Sequence, residues 1–266
     1  MPELPEVESR RMAIDSAFTG RHLVSFDIYK KNALKHSDAG VQKAVIGKVL
    51  EHTDRRGKYL ILTFGPAETP QSQTAPAGGL DITLHFGLFG GMDIAGTDSS
   101  PASVCARLVF DDRKALFLLR WVNLWPGRGV QGLEKLGPDP VAEPDLFTPG
   151  YLAGALSGKK TAIKQLLMDQ SIVAGIGAVY ADEVLFQSGI LPERPARLVS
   201  VQEIGMLHRA IVRTMRTAIE KTVASGKEDR PFLSLEGRQG CPVCKTPLSK
   251  TRLAGRRTIY CPSCQH

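Results

Sequence analysis

Four of the five cysteines stand in two pairs near the end of the chain, Cys241-Pro-Val-Cys244 and Cys261-Pro-Ser-Cys264, with sixteen residues between the pairs. Each Cys-x-x-Cys places two thiolates on one turn, and two such turns complete a tetrahedral set of sulfur ligands, the arrangement that holds zinc. With all four positions filled by protein, no place is left for a reactive water. The zinc is therefore expected to be structural, one per chain, and no organic cofactor is expected. Disulfides are the alternative, and a reducing interior disfavours them. Between the pairs, residues 249–252 and 257–260 read as two strands joined by 253–256, a metal-clamped hairpin with Arg256 at its tip. Cys105, alone in Val104-Cys105-Ala106-Arg107-Leu108, reads as a thiol in a core strand.

The charge distribution suggests what this hairpin meets. Lys and Arg outnumber Asp and Glu by 34 to 27, and the segment from Lys221 to His266 carries six of the seven net positive charges. From residue 237 onward it has no Asp or Glu. Such a segment attracts polyanions, nucleic acid being the usual one. A solvated basic tail is the plainer alternative, and the zinc clamp argues against it. No apolar run approaches the roughly 20 residues of a membrane helix. The start, Met1-Pro2-Glu3-Leu4-Pro5-Glu6, is acidic and proline-rich where a secretory signal is basic and then apolar, so a cytoplasmic protein is expected. With 266 residues, 42% hydrophobic, the chain can build one large or two modest cores.

The elements that must position these groups fall into two styles. A leading helix carries Pro5 in its first turn and acidic residues at its positive end, and Gly20 stops it. Strand-like runs follow at 22–30, 41–52, 58–64, 80–86, 104–110 and 115–121, with a hairpin link at 111–114. Short strands with little helix between them predict an antiparallel sandwich or barrel. The stretch 65–78 is polar and Pro/Ala-rich, a surface loop. Residues 126–150 read as a linker, and beyond them the period turns helical, over 161–169, 178–188 and 201–224. Gly175 and Gly177 stand just before the second of these helices. Amides exposed at a helix start suit a phosphate, although Gly-x-Gly alone is weak evidence.

Several motifs then converge. Pro2-Glu3-Leu4-Pro5-Glu6-Val7-Glu8, Arg55-Arg56-Gly57-Lys58-Tyr59-Leu60, Lys159-Lys160-Thr161-Ala162-Ile163-Lys164, Ala174-Gly175-Ile176-Gly177, Tyr180-Ala181-Asp182-Glu183 and Thr258-Ile259-Tyr260-Cys261-Pro262-Ser263-Cys264-Gln265 occur in order over essentially the whole chain. Together they resemble the formamidopyrimidine-DNA glycosylase / endonuclease VIII family. The resemblance implies an α+β fold: an N-terminal β-sandwich with a leading helix (1–125), a linker (126–150), a helix–two-turn–helix domain (151–236) and a C-terminal zinc ribbon (237–266). It implies a monomer acting on double-stranded DNA with oxidised bases or abasic sites, the DNA lying in a cleft between domains.

The same resemblance implies a bifunctional glycosylase and abasic-site lyase of base-excision repair. Met1 is lost and the Pro2 amine becomes the nucleophile; an α-amine titrates near pH ~8 and is partly unprotonated at neutral pH. Glu3 handles protons at the deoxyribose, a task suited to a carboxylate with a raised pKa, and Glu6 is a secondary candidate that could equally serve the helix dipole. Lys58 corresponds to the family's catalytic and phosphate-binding lysine at a hairpin turn, and Arg256, counted with the catalytic set, grips phosphates beside the flipped nucleotide. The DNA-binding set implied is His85, Leu88, Lys160, Gly175, Gly177 and Trp125.

Departures from the family pattern shape the rest. An asparagine that usually follows Gly-x-Gly is Ala178 here. The usual methionine wedge position falls in His85-Phe86-Gly87-Leu88-Phe89-Gly90, where Leu88 can act as an apolar wedge. The usual Asp-Pro-Arg-Arg-Phe-Gly is replaced by Asn123-Leu124-Trp125-Pro126-Gly127, so the arginine and phenylalanine have no counterpart, and Trp125 can stack or pack in the core. Only twenty residues separate Glu220 from Cys241, short for the loop that covers 8-oxoguanine, which predicts a substrate range shifted away from that lesion. The competing reading is a non-catalytic damaged-DNA-binding protein on the same fold. Intact Pro2 and Glu3 disfavour it.

Overall fold

The computed structural model describes residues 1–35, 39–66, 79–128, 130, 132–225 and 235–266. Most of the 65–78 loop, and residues 226–234 of the segment between Glu220 and Cys241, therefore lie outside the described residues. The chain forms two compact units, one of residues 1–2 and 7–134, the other of 3–6 and 135–266.

The first unit contains most of α1 (Leu4–Phe18), then β1 (Leu23–Ile28), α2 (Ala39–Val45), β2 (Val49–Arg56), β3 (Tyr59–Gly65), β4 (Leu80–His85), β5 (Gly91–Gly96), β6 (Val104–Phe110), β7 (Lys114–Leu119) and β8 (Asn123–Pro126). They make two four-stranded sheets of order β1-β6-β7-β5 and β2-β3-β4-β8, every pair antiparallel. In β6 the alternation is legible: Leu108 and Phe110 are buried while Arg107 and Val109 are half-exposed. Leu60, Leu62 and Leu84 from one sheet and Leu108, Leu116 and Leu118 from the other share one core with Val7, Ile14 and Phe18 of α1. Phe18 stacks on Phe110 with centroids 4.1 Å apart. This is the expected β-sandwich with its leading helix.

Three elements of this unit differ from the sequence reading. The run 41–52 is not one strand. Val41 and Val45, four residues apart, form the inner side of α2, and Gly47 at φ +83° turns the chain into β2. β5 and β8 were not anticipated, because Gly91-Met-Asp-Ile-Ala-Gly96 and Asn123-Leu-Trp-Pro126 are poor strand formers. Pairing with β7 and β4 makes them strands.

The second unit holds α3 (Pro149–Leu156), α4 (Ile163–Met168), α5 (Ala178–Ser188), α6 (Val201–Ser225) and the hairpin of β9 (Ser249–Leu253) and β10 (Arg256–Tyr260). Helix α3 begins inside the stretch read as linker. Thr148 caps it, its hydroxyl accepting from Tyr151 N at 3.0 Å. Helix α4 is shorter than the expected 161–169. Helix α6 buries Ile204, Leu207, Ile211, Met215 and Ala218, the three- and four-residue spacing of one helix face. Gly189 ends α5 at φ +71°. Among the described residues no helix is long and apolar enough to cross a membrane.

Candidate active site and zinc hairpin

The N-terminal turn is built around two buried carboxylates, Glu3 (3% exposed) and Glu6 (1%). Glu3 is the residue before α1, and Glu6 reaches back from the first turn so that its Oε2 accepts from Glu3 N at 2.8 Å, half of a capping box. Glu6 Oε1 accepts from the Tyr180 hydroxyl at 2.8 Å, and Leu4 N donates to Gly175 O at 3.0 Å. Glu6 thereby fixes the backbone on which Glu3 sits.

The Glu3 carboxylate itself caps α5. Its Oε2 accepts from Gly177 N at 2.6 Å and Tyr180 N at 3.4 Å, and its Oε1 from Val179 N at 3.1 Å. Helix starts leave such amides without partners. Gly177, in the capping position, has no side chain to supply one, so a carboxylate 174 residues away in sequence does so. The amide donors and the positive helix end both face this carboxylate. The two glycines are required by this closeness. A Cβ at Gly177 would lie 2.5 Å from the Glu3 carboxyl carbon, and one at Gly175, whose φ is +97°, would lie 2.6 Å from Leu4 Cβ. The amides expected to meet a phosphate are therefore engaged inside the protein: Gly177 N by Glu3, and Gly175 N by Gln170 Oε1 at 3.0 Å.

In the first unit, Lys58 follows Gly57 (φ +56°) in the tight turn between β2 and β3 and is 6% exposed. Arg55 steadies this turn by donating to Gly57 O at 3.2 Å and pairing with Glu8 at 2.7 Å. Burial alone would raise the Glu8 carboxyl, but Arg11 and Arg55 outweigh it and hold it below the usual range. His85, at the end of β4, pairs in register with Tyr59. Burial, then the nearby Lys58 ammonium, push the imidazole down to about 4. It is neutral at pH 7, and its Nδ1 accepts from Gly87 N at 3.1 Å, which leaves the proton on Nε2. Leu88 is 55% exposed on the next turn. Trp125 is half-buried, edge-on to Tyr59 with centroids 6.1 Å apart.

A pH dependence follows from His85. Its folded pKa of about 4 lies below the unfolded value of 6.5, so between these limits the unfolded chain binds a proton that the fold refuses. Stability is complete above pH 6.5 and falls as pH drops toward 4, by up to about 2 kcal/mol at pH 5. Urea midpoints at pH 7 and pH 5 are expected to differ more in the wild type than in His85→Gln.

The four cysteine sulfurs lie within 4.8 Å of one another. Sγ of Cys241 is 3.8 Å from that of Cys264, and Sγ of Cys244 is 3.5 Å from that of Cys261. Four sulfurs about 2.3 Å from one zinc stand roughly 3.8 Å apart, so the donor set fits the metal. Ala254 and Gly255, at φ +48° and +74°, form the two-residue turn of the hairpin. Arg256 is thus not on the tip but opens β10, opposite Leu253, and is exposed. Lys160 is exposed in the segment before α4.

A buried ion pair anchors this hairpin to the helices. Lys164 Nζ lies 2.7 Å from Asp182 Oδ1, with side chains 0% and 7% exposed. The ammonium also donates to Arg257 O at 2.6 Å and Thr258 Oγ1 at 2.9 Å, while Ile259 N donates to Asp182 Oδ2 at 3.0 Å. Burial pushes the Asp182 carboxyl up to about 6 and the Lys164 ammonium down, each against its partner's attraction. Arg257, the next residue, pairs with Glu236 through both carboxylate oxygens at 3.0 and 2.8 Å.

The formamidopyrimidine-DNA glycosylase N-terminal domain model matches residues 1–119, and the H2TH domain model of the same enzyme matches residues 136–228. The chain belongs to the formamidopyrimidine-DNA glycosylase family. The formamidopyrimidine-DNA glycosylase of Syntrophomonas wolfei is 33% identical, the alignment covering all of both chains. The Lactococcus lactis enzyme, solved non-covalently bound to DNA containing an abasic site, is 26% identical with a TM-score of 0.86 over 99% of each chain. A MutM solved with DNA containing carbocyclic 8-oxo-G is 26% identical with a TM-score of 0.86 over 100% of each chain.

This glycosylase is a bifunctional enzyme, a DNA glycosylase and abasic-site lyase, and its four-cysteine cluster is a structural zinc site. In this glycosylase Tyr180, Gln170, Lys164 and Asp182 are the residues that sequence reasoning did not assign to the site. Tyr180-Ala181-Asp182-Glu183 and Lys159–Lys164 carried the resemblance as motifs, but no local spacing indicated that Tyr180 meets Glu6 or that Lys164 meets Asp182.

Proposed function

We propose that this glycosylase acts through Pro2 and Glu3 on duplex DNA, with Lys58 and Arg256 holding phosphates. Once Met1 is removed, the Pro2 nitrogen is a secondary amine, partly unprotonated near neutral pH. It attacks C1′ of the damaged nucleotide, the bond from C1′ to the base breaks, and the base leaves with a proton. Opening of the sugar gives a Schiff base between Pro2 and C1′. Loss of a C2′ proton then expels the 3′ phosphate, and a second elimination expels the 5′ phosphate. Glu3 moves the protons. The observation that carries this reading is the Glu3 carboxylate, buried one peptide bond from Pro2 and held by three amides. A carboxylate so placed is pre-organised beside the nucleophile, and it can move protons there in addition to capping α5.

Glu6 positions Glu3. His85 is a neutral donor through Nε2 for a phosphate, Leu88 an apolar wedge, and Lys160 a backbone contact; Trp125, half-buried, supports the strand beside them. The short segment between Glu220 and Cys241 supports a substrate range centred on abasic sites, formamidopyrimidines and oxidised pyrimidines rather than 8-oxoguanine.

Borohydride trapping on a duplex with one abasic site tests this directly. A covalent adduct is expected, and peptide mass analysis should locate it on Pro2. No adduct from protein with Met1 confirmed absent and zinc present would sink the lyase chemistry. Single-turnover excision from duplexes carrying each lesion should be slowest for 8-oxoguanine; an 8-oxoguanine rate equal to or above the others would remove the substrate proposal alone.

A further inference from the structure

Helix α6 buries one face in the core of the second unit and turns the other to solvent. Along that outer face Met206, Arg209, Arg213 and Arg216 follow one another at three- and four-residue spacing, all exposed. Between Glu203 and Glu220 the helix has no carboxylate. Like charges three and four residues apart repel one another and weaken a helix, and no ion pair offsets that here. Among the described residues none of the three arginines pairs with a carboxylate, whereas Arg194 and Arg257 of the same unit pair with Glu203 and Glu236. Arg213 is nonetheless held in place. Its Nη2 donates to Gln187 Oε1 at 2.7 Å, and Gln187 Nε2 donates to Glu183 Oε1 at 2.8 Å. The acceptor is a neutral amide, so the guanidinium is oriented while its charge stays uncompensated.

Two hollows flank the row, and Arg209 and Arg213 line both. One, of about 350 Å³, has Met206 and Ala210 in its wall beside Gln187. The other, of about 390 Å³, has Val212 and Thr217 beside His208. Neither has a carboxylate in its lining. This face lies at the far end of α5 from the Glu3 carboxylate: Gln187 comes ten residues after Gly177, about 15 Å along the helix.

We propose that this face of α6 docks an acidic segment of a partner protein, its carboxylates on the arginine row and its apolar side chains in the two hollows. A guanidinium presents a fork of N–H donors that meets a carboxylate in two parallel bonds, and arginine clusters of this kind read acidic motifs. A nucleic-acid backbone supplies charge but no apolar side chain for Met206, Ala210 and Val212 to receive, which favours a peptide. A second copy of this chain is disfavoured. In a two-fold contact one patch meets itself, arginine row against arginine row, and each chain carries a net charge of +7. The inference does not depend on the chemistry at Pro2.

The test uses the full-length zinc-loaded protein and fluorescence anisotropy with a labelled peptide of Asp-Asp-Leu repeats, its Asp-Asp-Ser counterpart of equal charge, and an undamaged DNA duplex. Wild type is expected to bind the leucine peptide more tightly than the serine peptide. The triple change Arg209→Gln, Arg213→Gln, Arg216→Gln keeps good helix formers on the face. It should weaken binding of the leucine peptide roughly 10- to 100-fold, since charge-assisted bonds are the strong ones. Its affinity for the duplex and its borohydride trapping on an abasic site should stay unchanged. Reversing the charge with Arg209→Glu and Arg213→Glu should move binding to a Lys-Lys-Leu peptide. Wild type that binds neither acidic peptide, or that binds both equally, would overturn the proposal, as would equal peptide affinity in wild type and the triple variant. A loss of duplex affinity in the triple variant as large as its loss of peptide affinity would make the row a nucleic-acid contact and overturn it as well.

Discussion

Glu3→Ala is expected to abolish base excision and to destabilise the second unit at the same time. The carboxylate moves protons, a contribution worth roughly 10²- to 10⁴-fold in rate. It is also the cap of α5, and its removal leaves three amides at a buried helix start without their acceptor. Losing a cap costs about 1–2 kcal/mol, and each buried unsatisfied donor about 1–3. Some of the amides will find water, so a loss of about 2–4 kcal/mol in urea unfolding is expected. Glu3→Gln separates the two roles. Its amide oxygen still accepts a hydrogen bond while its NH₂ faces donors, so the stability loss should be about half as large, yet proton transfer should be lost almost as fully. Single-turnover excision by Glu3→Gln within tenfold of wild type would refute the proton-transfer role. A stability loss under about 1 kcal/mol for Glu3→Ala would refute the cap.

Lys164→Met should be the most destabilising change near the hairpin. It leaves Asp182 buried with its charge partner gone, and breaking a buried pair in this way costs about 3–5 kcal/mol. It also removes the donor that reaches Arg257 O and Thr258 Oγ1 on β10. The loss should depend on pH in a definite direction. Burial already pushes the Asp182 carboxyl up to about 6, and without the ammonium it rises further. Between the ordinary carboxylate value of 3.8 and that raised value, the folded variant binds a proton that its unfolded chain does not. The variant therefore recovers stability as pH falls through this window and is least stable above it. The double change Lys164→Met, Asp182→Leu removes both charges and should recover most of the loss. Zinc release to a chelator, faster in Lys164→Met and near wild type in the double variant, would show that the pair seats the hairpin. Equal release from all three proteins would show that it does not.

How much of this was legible beforehand depends on the range of the interactions involved. The zinc hairpin was readable because its ligands lie in two Cys-x-x-Cys turns and its strands are contiguous. Helices α5 and α6 were readable because one face repeats every three or four residues and Gly189 stops α5. The sandwich was readable from β3, β6 and β7, whose apolar runs suit a buried strand in any setting. The motifs at Pro2, Lys58 and Cys261 carried the family.

Tertiary structure decided what local sequence leaves degenerate. Residues 41–45 can form a strand or a helix, and only the core that Val41 and Val45 enter selects helix. β5 and β8 each hold a single strand former, Ile94 and Trp125, among residues that disfavour strands, and exist because β7 and β4 offer them hydrogen bonds. Gly175 and Gly177 looked like a phosphate cradle, and any anion would have suited their amides. The fold supplies its own acceptors, Gln170 for one and Glu3 for the other. The pairing of Glu6 with Tyr180 and of Lys164 with Asp182 joins residues far apart along the chain. A sequence declares its short-range geometry through spacing, because neighbours in the chain are neighbours in space. Which distant polar group satisfies a buried one is settled only when packing excludes water from both.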